Sequence, residues 1–127
     1  MDFGSSSALT IESVRLALGA TGLRQNVIAD NIANVNSPDH VRMRVVFEEH
    51  LAQALATSRS ATGDAQAMAA LDGVQAELEP DMARSGKVEL DEEMAELSAN
   101  SLRYHALTKG LSRYLSIASI IASSTRG

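Results

Sequence analysis

Asn31-Ile32-Ala33-Asn34-Val35-Asn36-Ser37-Pro38 closes a long helical pattern with repeated asparagines and a proline. Asparagine is a mediocre helix former because its amide competes for the backbone. It is also one of the few residues besides glycine that enter the left-handed conformation ending a helix. Pro38 stops any continuation and pushes Ser37 toward an extended conformation. The stretch therefore predicts a helix exit and a turn built on Asn31, Asn34, Asn36 and Pro38.

Upstream, residues 8–35 carry a sustained helical pattern. Ile11, Val14, Leu18, Thr21, Gln25, Ile28, Ile32 and Val35 follow one another at heptad spacing, with Thr21 and Gln25 as polar interruptions. A second stripe of Leu9, Leu16 and Leu23 runs along the flank, so this helix has apolar surface for more than one neighbour. Gly19 and Gly22 each cost about 1 kcal/mol of helix propensity. They read either as tolerated weakness or as points of close helix approach.

The far end of the chain is the matching half. Over residues 91–124, Leu97, Asn100, Tyr104, Leu107, Leu111, Tyr114, Ala118 and Ile121 repeat the same stepping. Asp91, Glu92, Glu93 and Glu96 crowd the start, and Lys109 and Arg113 come later, which complements the helix dipole. Asp91 reads as the N-cap. At ~1.5 Å per residue the two helices span roughly 40 and 50 Å. Their complementary seams predict an antiparallel coiled coil.

Residues 36–90 change character. Val41, Met43 and Val45 suggest an extended piece, and Phe47 to Leu55 a short helix. From Ala56 to Lys87 the chain is mostly Ala, Ser, Gly, Asp and Glu, with Met68, Leu71, Val74, Leu78 and Met82 among the few large apolar residues. Such a stretch predicts a mobile loop with weak local helix, because little burial offsets its ordering entropy. The expected fold is thus mainly α: one elongated unit over 1–127, two long terminal helices and an irregular, partly extended, mobile middle.

Composition narrows function. The 127 residues carry a net charge of −5, which gives no electrostatic reason to bind nucleic acid. There is no cysteine, which excludes disulfides and thiolate chemistry. Met1 to Ser7 lacks the basic start and apolar core of a secretory signal, so any exit from the cytoplasm is expected to avoid a cleavable leader. His40, His50 and His105 are scattered, and Glu48 and Glu49 beside His50 read as a solvated face rather than a metal site. No phosphate-binding loop, nucleophile elbow or dinucleotide fingerprint occurs. Neither catalytic nor metal-binding residues are predicted, and no cofactor, nucleic acid or small-molecule substrate. Uncovered apolar seams point to assembly instead, and head-to-tail packing that does not close a ring builds a filament.

Arg24-Gln25-Asn26-Val27-Ile28-Ala29-Asp30-Asn31-Ile32-Ala33-Asn34-Val35-Asn36-Ser37-Pro38 resembles the amino-terminal signature of the bacterial flagellar rod and hook proteins. Val46-Phe47-Glu48-Glu49 with Leu51, Leu90-Asp91-Glu92-Glu93-Met94 and Asn100-Ser101-Leu102-Arg103-Tyr104 resemble the proximal rod members of that family. Where the family commonly has Gly and then an aromatic after the proline, this chain has Asp39 and His40. The resemblance implies a structural subunit of the basal-body rod, exported through the flagellar type III apparatus and assembled in the periplasm. Its implied partners are copies of itself, other rod subunits, the basal-body adaptor where the MS ring meets the export gate, and the export apparatus. The subunit-packing residues are then Ile11, Val14, Leu18, Ile28, Ile32, Val35, Leu97, Tyr104, Leu107, Leu111, Tyr114 and Ile121. The resemblance also makes Phe47 and Leu51 an export-gate motif, against which stands an ordinary contact across one helical turn. Alternative readings are another proximal rod subunit, or a soluble helical-hairpin adaptor or chaperone.

Overall fold

A computed structural model describes residues 3–125; residues 1–2 and 126–127, the ends of the expected 1–127 unit, lie outside the described residues. The chain is mainly helical. Helix α1 (Phe3–Ala33) is followed by strand β1 (Met43–Val46), α2 (Glu48–Arg59), α3 (Asp64–Asp72), strand β2 (Glu77–Pro80), a tight turn (Ala83–Gly86) and α4 (Leu90–Thr125). The long helices have 31 and 36 residues. The extended piece and the short helix expected around Val41–Leu55 are β1 and α2.

Helix α1 ends without any left-handed asparagine. Among the described residues outside glycine, positive φ occurs at Arg84 and Ser85 alone, so Asn31, Asn34 and Asn36 do not close the helix as expected. The last turn tightens instead. Asn34 N donates to Asp30 O and Asn31 O, Val35 N to Ile32 O, and Ser37 N to Asn34 O at 2.9 Å. Bonds of the shorter three-residue kind satisfy orphan carbonyls at a helix end as well as a glycine cap does. With His40 N donating to Ser37 O, Asp39 sits in an ordinary turn.

The two strands form an antiparallel ribbon in the register Met43↔Pro80, Arg44↔Glu79, Val45↔Leu78 and Val46↔Glu77. A two-stranded ribbon is marginal alone. It is held here against α1. Pro80 lies at the ribbon's end, where its missing N–H costs no ladder bond.

The middle segment departs from the expected loop. Residues 56–87 hold the end of α2, α3, β2 and the Ala83–Gly86 turn. Leu71 is fully buried, and Val74 and Ala67 are buried with it. They join Ala20, Val27, Val45, Phe47 and Ala54 in the core, with Leu9, Leu16, Leu23, Leu51 and Leu55 packed around them. A few well-placed side chains are enough, because packing against α1 and α2 overrides the weak local composition. The flanking Leu9–Leu16–Leu23 stripe therefore faces this core, while Thr21 and Gln25 of the heptad seam beside it meet Asn100 of α4.

Helix α4 begins at Leu90, so Asp91 is not the N-cap; it lies in the first turn with Glu92 and Glu93, where acids still complement the helix dipole. Ser7 meets Tyr114 (Oη to Oγ, 2.7 Å) and Thr21 meets Asn100, so α1 and α4 run in opposite directions. Gly19 and Gly22 have open space where a Cβ would sit, so none of the described residues approaches closely there.

Candidate functional site

Asn31 anchors the family-motif turn. It is 1% exposed, and its amide pairs with the backbone of Met43 as a neighbouring strand would: Nδ2 donates to Met43 O (2.9 Å) and Met43 N donates to Oδ1 (3.1 Å). His40 Nε2 lies 3.1 Å from the same Oδ1. One side chain thus fixes where β1 leaves α1. Asn34 works locally, donating from Nδ2 to Asp30 O and accepting from Ser37 Oγ. Asn36 and Pro38 are exposed.

A few residues upstream, Arg24 grips the other end of the ribbon. Its guanidinium donates to Val45 O (3.1 Å) and pairs with Glu48 on both oxygens, at 2.8 and 2.9 Å. Burial pushes the Glu48 carboxyl up. The hydrogen bond from Arg24, a backbone N–H and the charges of Arg24 and Arg103 outweigh this and hold it below its ordinary 4.5.

The network that the sequence reading missed centres on Arg42. Its Nε donates to Glu93 and its Nη1 to Asp81, while its backbone N donates to Gly86 O and its O accepts from Asp81 N, each at 2.8 Å. Burial alone would lower the guanidinium pKa; the bond and charge of Glu93, with Asp81 and Glu96, outweigh it and raise the value. Glu93 is 0% exposed, and its second oxygen has no partner among the described residues. A signal for it existed. The α4 seam of Leu97, Asn100 and Tyr104, run back by one step, lands on Glu93.

The predicted packing residues divide by exposure. On α1, Ile28 is enclosed at 4% exposure, Val14, Leu18, Ile32 and Val35 are half-buried, and Ile11 is exposed. On α4, Leu97, Leu107, Leu111 and Tyr114 are half-buried, while Tyr104 and Ile121 are exposed. Outside the predicted set, Leu102, Leu115, Ile117 and Ile120 are also exposed. The result is an α4 whose apolar residues largely face solvent over its carboxyl-terminal half. A groove of about 390 Å³ lies where α1, α2 and α4 meet, lined by Ala17, Phe47, Leu51, Ala106 and Leu107, with Arg24 and Arg103 at its edge.

Phe47 is 3% exposed at the start of α2, and Leu51 N donates to Phe47 O (3.0 Å), so in the folded chain the pair forms a helix-turn contact. His50 Nε2 is 3.5 Å from Glu77 Oε2, too long for a good hydrogen bond. No group of three or more His, Asp or Glu side chains gathers as metal ligands among the described residues. No helix there is long and apolar enough to cross a membrane. The arrangement offers packing surface and fixed ion pairs.

No family model matches the chain. A curated relative from Bacillus subtilis (strain 168), described as flagellar basal body rod protein FlgB, is 28% identical over 106 residues, covering 79% of this chain and 82% of the relative. Another from Borrelia hermsii, with the same description, is 40% identical over 52 residues, covering 41% of this chain but only 38% of the relative's length. The signature read from the sequence and these two similarities agree: this chain is similar to proteins described as flagellar basal body rod protein FlgB.

Proposed function

We propose that this chain is a structural, non-enzymatic subunit of the bacterial flagellar basal-body rod, in its proximal part. The single observation that carries this, beside the kinship, is the uncovered apolar surface of α4: Leu102 at 70% and Ile120 at 68% exposure leave apolar area that a neighbouring subunit would remove from water. The chain works as one elongated unit over 1–127. Its α1 and α4 pair as an antiparallel coiled coil, and the outer apolar residues of α4 pack on other copies and other rod subunits.

In this reading the subunit leaves the cytoplasm through the flagellar type III apparatus and assembles in the periplasm, meeting the basal-body adaptor where the MS ring joins the export gate. Phe47 and Leu51 act as an export motif only while the chain is unfolded, since Phe47 is buried once it folds. A cysteine-free chain suits passage through a narrow channel without cross-linking. Isolation of basal bodies from cells carrying a tagged copy tests the core of this reading. The tagged chain should copurify with other rod components, and its absence from intact basal bodies would contradict the assignment. Secretion of Phe47→Ala, compared with the parent, tests the export motif separately.

A further inference from the structure

The β1–β2 ribbon has one sealed edge and one open edge. Asp81 N donates to Arg42 O just beyond the Met43↔Pro80 pair. Antiparallel pairs alternate, so Arg44 and Glu79 exchange ladder bonds, while Met43, Val45 and Leu78 turn their backbone polar groups outward. On the β1 side α1 takes them up: Asn31 pairs with Met43 N and O, and Arg24 donates to Val45 O. On the β2 side, among the described residues, neither the N–H nor the C=O of Leu78 meets a partner outside the ribbon.

The Leu78 side chain is open as well. It stands opposite buried Val45, yet it is 52% exposed. Glu77 and Glu79 alternate with it onto the other face of the ribbon, with side chains 67% and 43% exposed. We infer that the outer edge of β2 docks an extended segment of another protein, basic–apolar–basic in sequence, as an antiparallel third strand.

The chemistry of the edge selects this occupant. A single residue opposite Leu78 would exchange both backbone bonds with it and cover its side chain, and that residue's two neighbours would stand opposite Glu77 and Glu79. Across the ribbon Glu79 already pairs with Arg44 of β1, the contact that a basic third strand would repeat on the open side. Glu77 is the freer carboxylate, with His50 Nε2 at 3.5 Å as its nearest cationic partner. A second copy of this chain does not fit. Two β2 edges meeting at Leu78 would set Glu77 against Glu79 twice, and like charges directly opposite are destabilising. Pro80 has no N–H to give, so the added strand is short and its bonds centre on Leu78. The surface is separate from α4, and this inference does not rest on the rod reading.

Binding of a labelled, capped peptide alternating arginine and valine to the full-length chain, read by fluorescence anisotropy, tests it. A peptide of the same composition with all its arginines at one end controls for attraction to the net charge of −5. The alternating peptide should bind more tightly than this control. Glu77→Lys should weaken it by about fivefold, as reversal of one exposed charge contact implies, and Leu78→Pro by more. Proline at Leu78 removes the outward N–H without costing a ladder bond. Glu77→Lys changes an exposed side chain, so it reports even where Leu78→Pro unfolds the ribbon. In the complex, NMR should show slowed hydrogen exchange at the Leu78 amide. Absence of binding, equal binding of the two peptides, indifference to Glu77→Lys, or an unprotected Leu78 amide in the complex each overturns the inference.

Discussion

Asn31 does with one amide what a third strand would do, giving and receiving a hydrogen bond at Met43 while fully enclosed. Replacing it by alanine leaves the carbonyl and N–H of half-buried Met43 without this partner. Asn31→Ala should lower stability by about 1–3 kcal/mol, read as a shift in urea midpoint at unchanged slope. Asparagine was visible in the sequence as a helix-exit residue, but its clamp on a strand twelve residues ahead was not, because propensity describes only the local backbone. Glu48 makes a second test at this scale. Its carboxyl is held below its ordinary value, so its contribution is fully present above that value and fades as pH falls through the folded one. The stability gap between the parent and Glu48→Gln should therefore be larger near pH ~7 than near ~3. Because the Glu48 side chain is 65% exposed, the gap should stay below about 1 kcal/mol.

At the scale of elements, hydrophobic periodicity carried the long helices well. The seam from Ile11 to Val35 and its counterpart from Leu97 to Ile121 fall within α1 and α4, apart from Val35, which follows α1's last residue, Ala33. The middle was less legible. Its apolar residues are sparse and Leu71 and Val74 stand in an alanine-rich stretch, yet each finds a place against α1 and α2 that local pattern does not encode. Leu71→Ala should cost about 2–5 kcal/mol, a core-sized loss, whereas a mobile loop would barely register the change. The ion pairs were hidden for another reason. Arg42 and Glu93 lie far apart in the chain, and a run of acids at a helix start reads as solvated until the seam is extended back through it. Breaking that pair with Glu93→Ala leaves Arg42 bonded to Asp81 with the charge of Glu96 nearby, and should cost up to about 3 kcal/mol, measured by the same denaturation.

The whole molecule is lopsided, with one compact side where α1, α2, α3 and the ribbon enclose Leu71, and one long helix whose outer face is bare. That asymmetry is what a subunit of a larger tube requires: an interior to keep its own shape, and an apolar surface for others to cover. Absence of cysteine lets this be tested at a single introduced thiol. Ile117, 57% exposed on α4, is a suitable position. Thiol labelling of Ile117→Cys should be rapid in the purified free chain and strongly slowed in isolated basal bodies that contain it. Equal labelling rates in the two states would contradict the claim that neighbouring subunits cover α4.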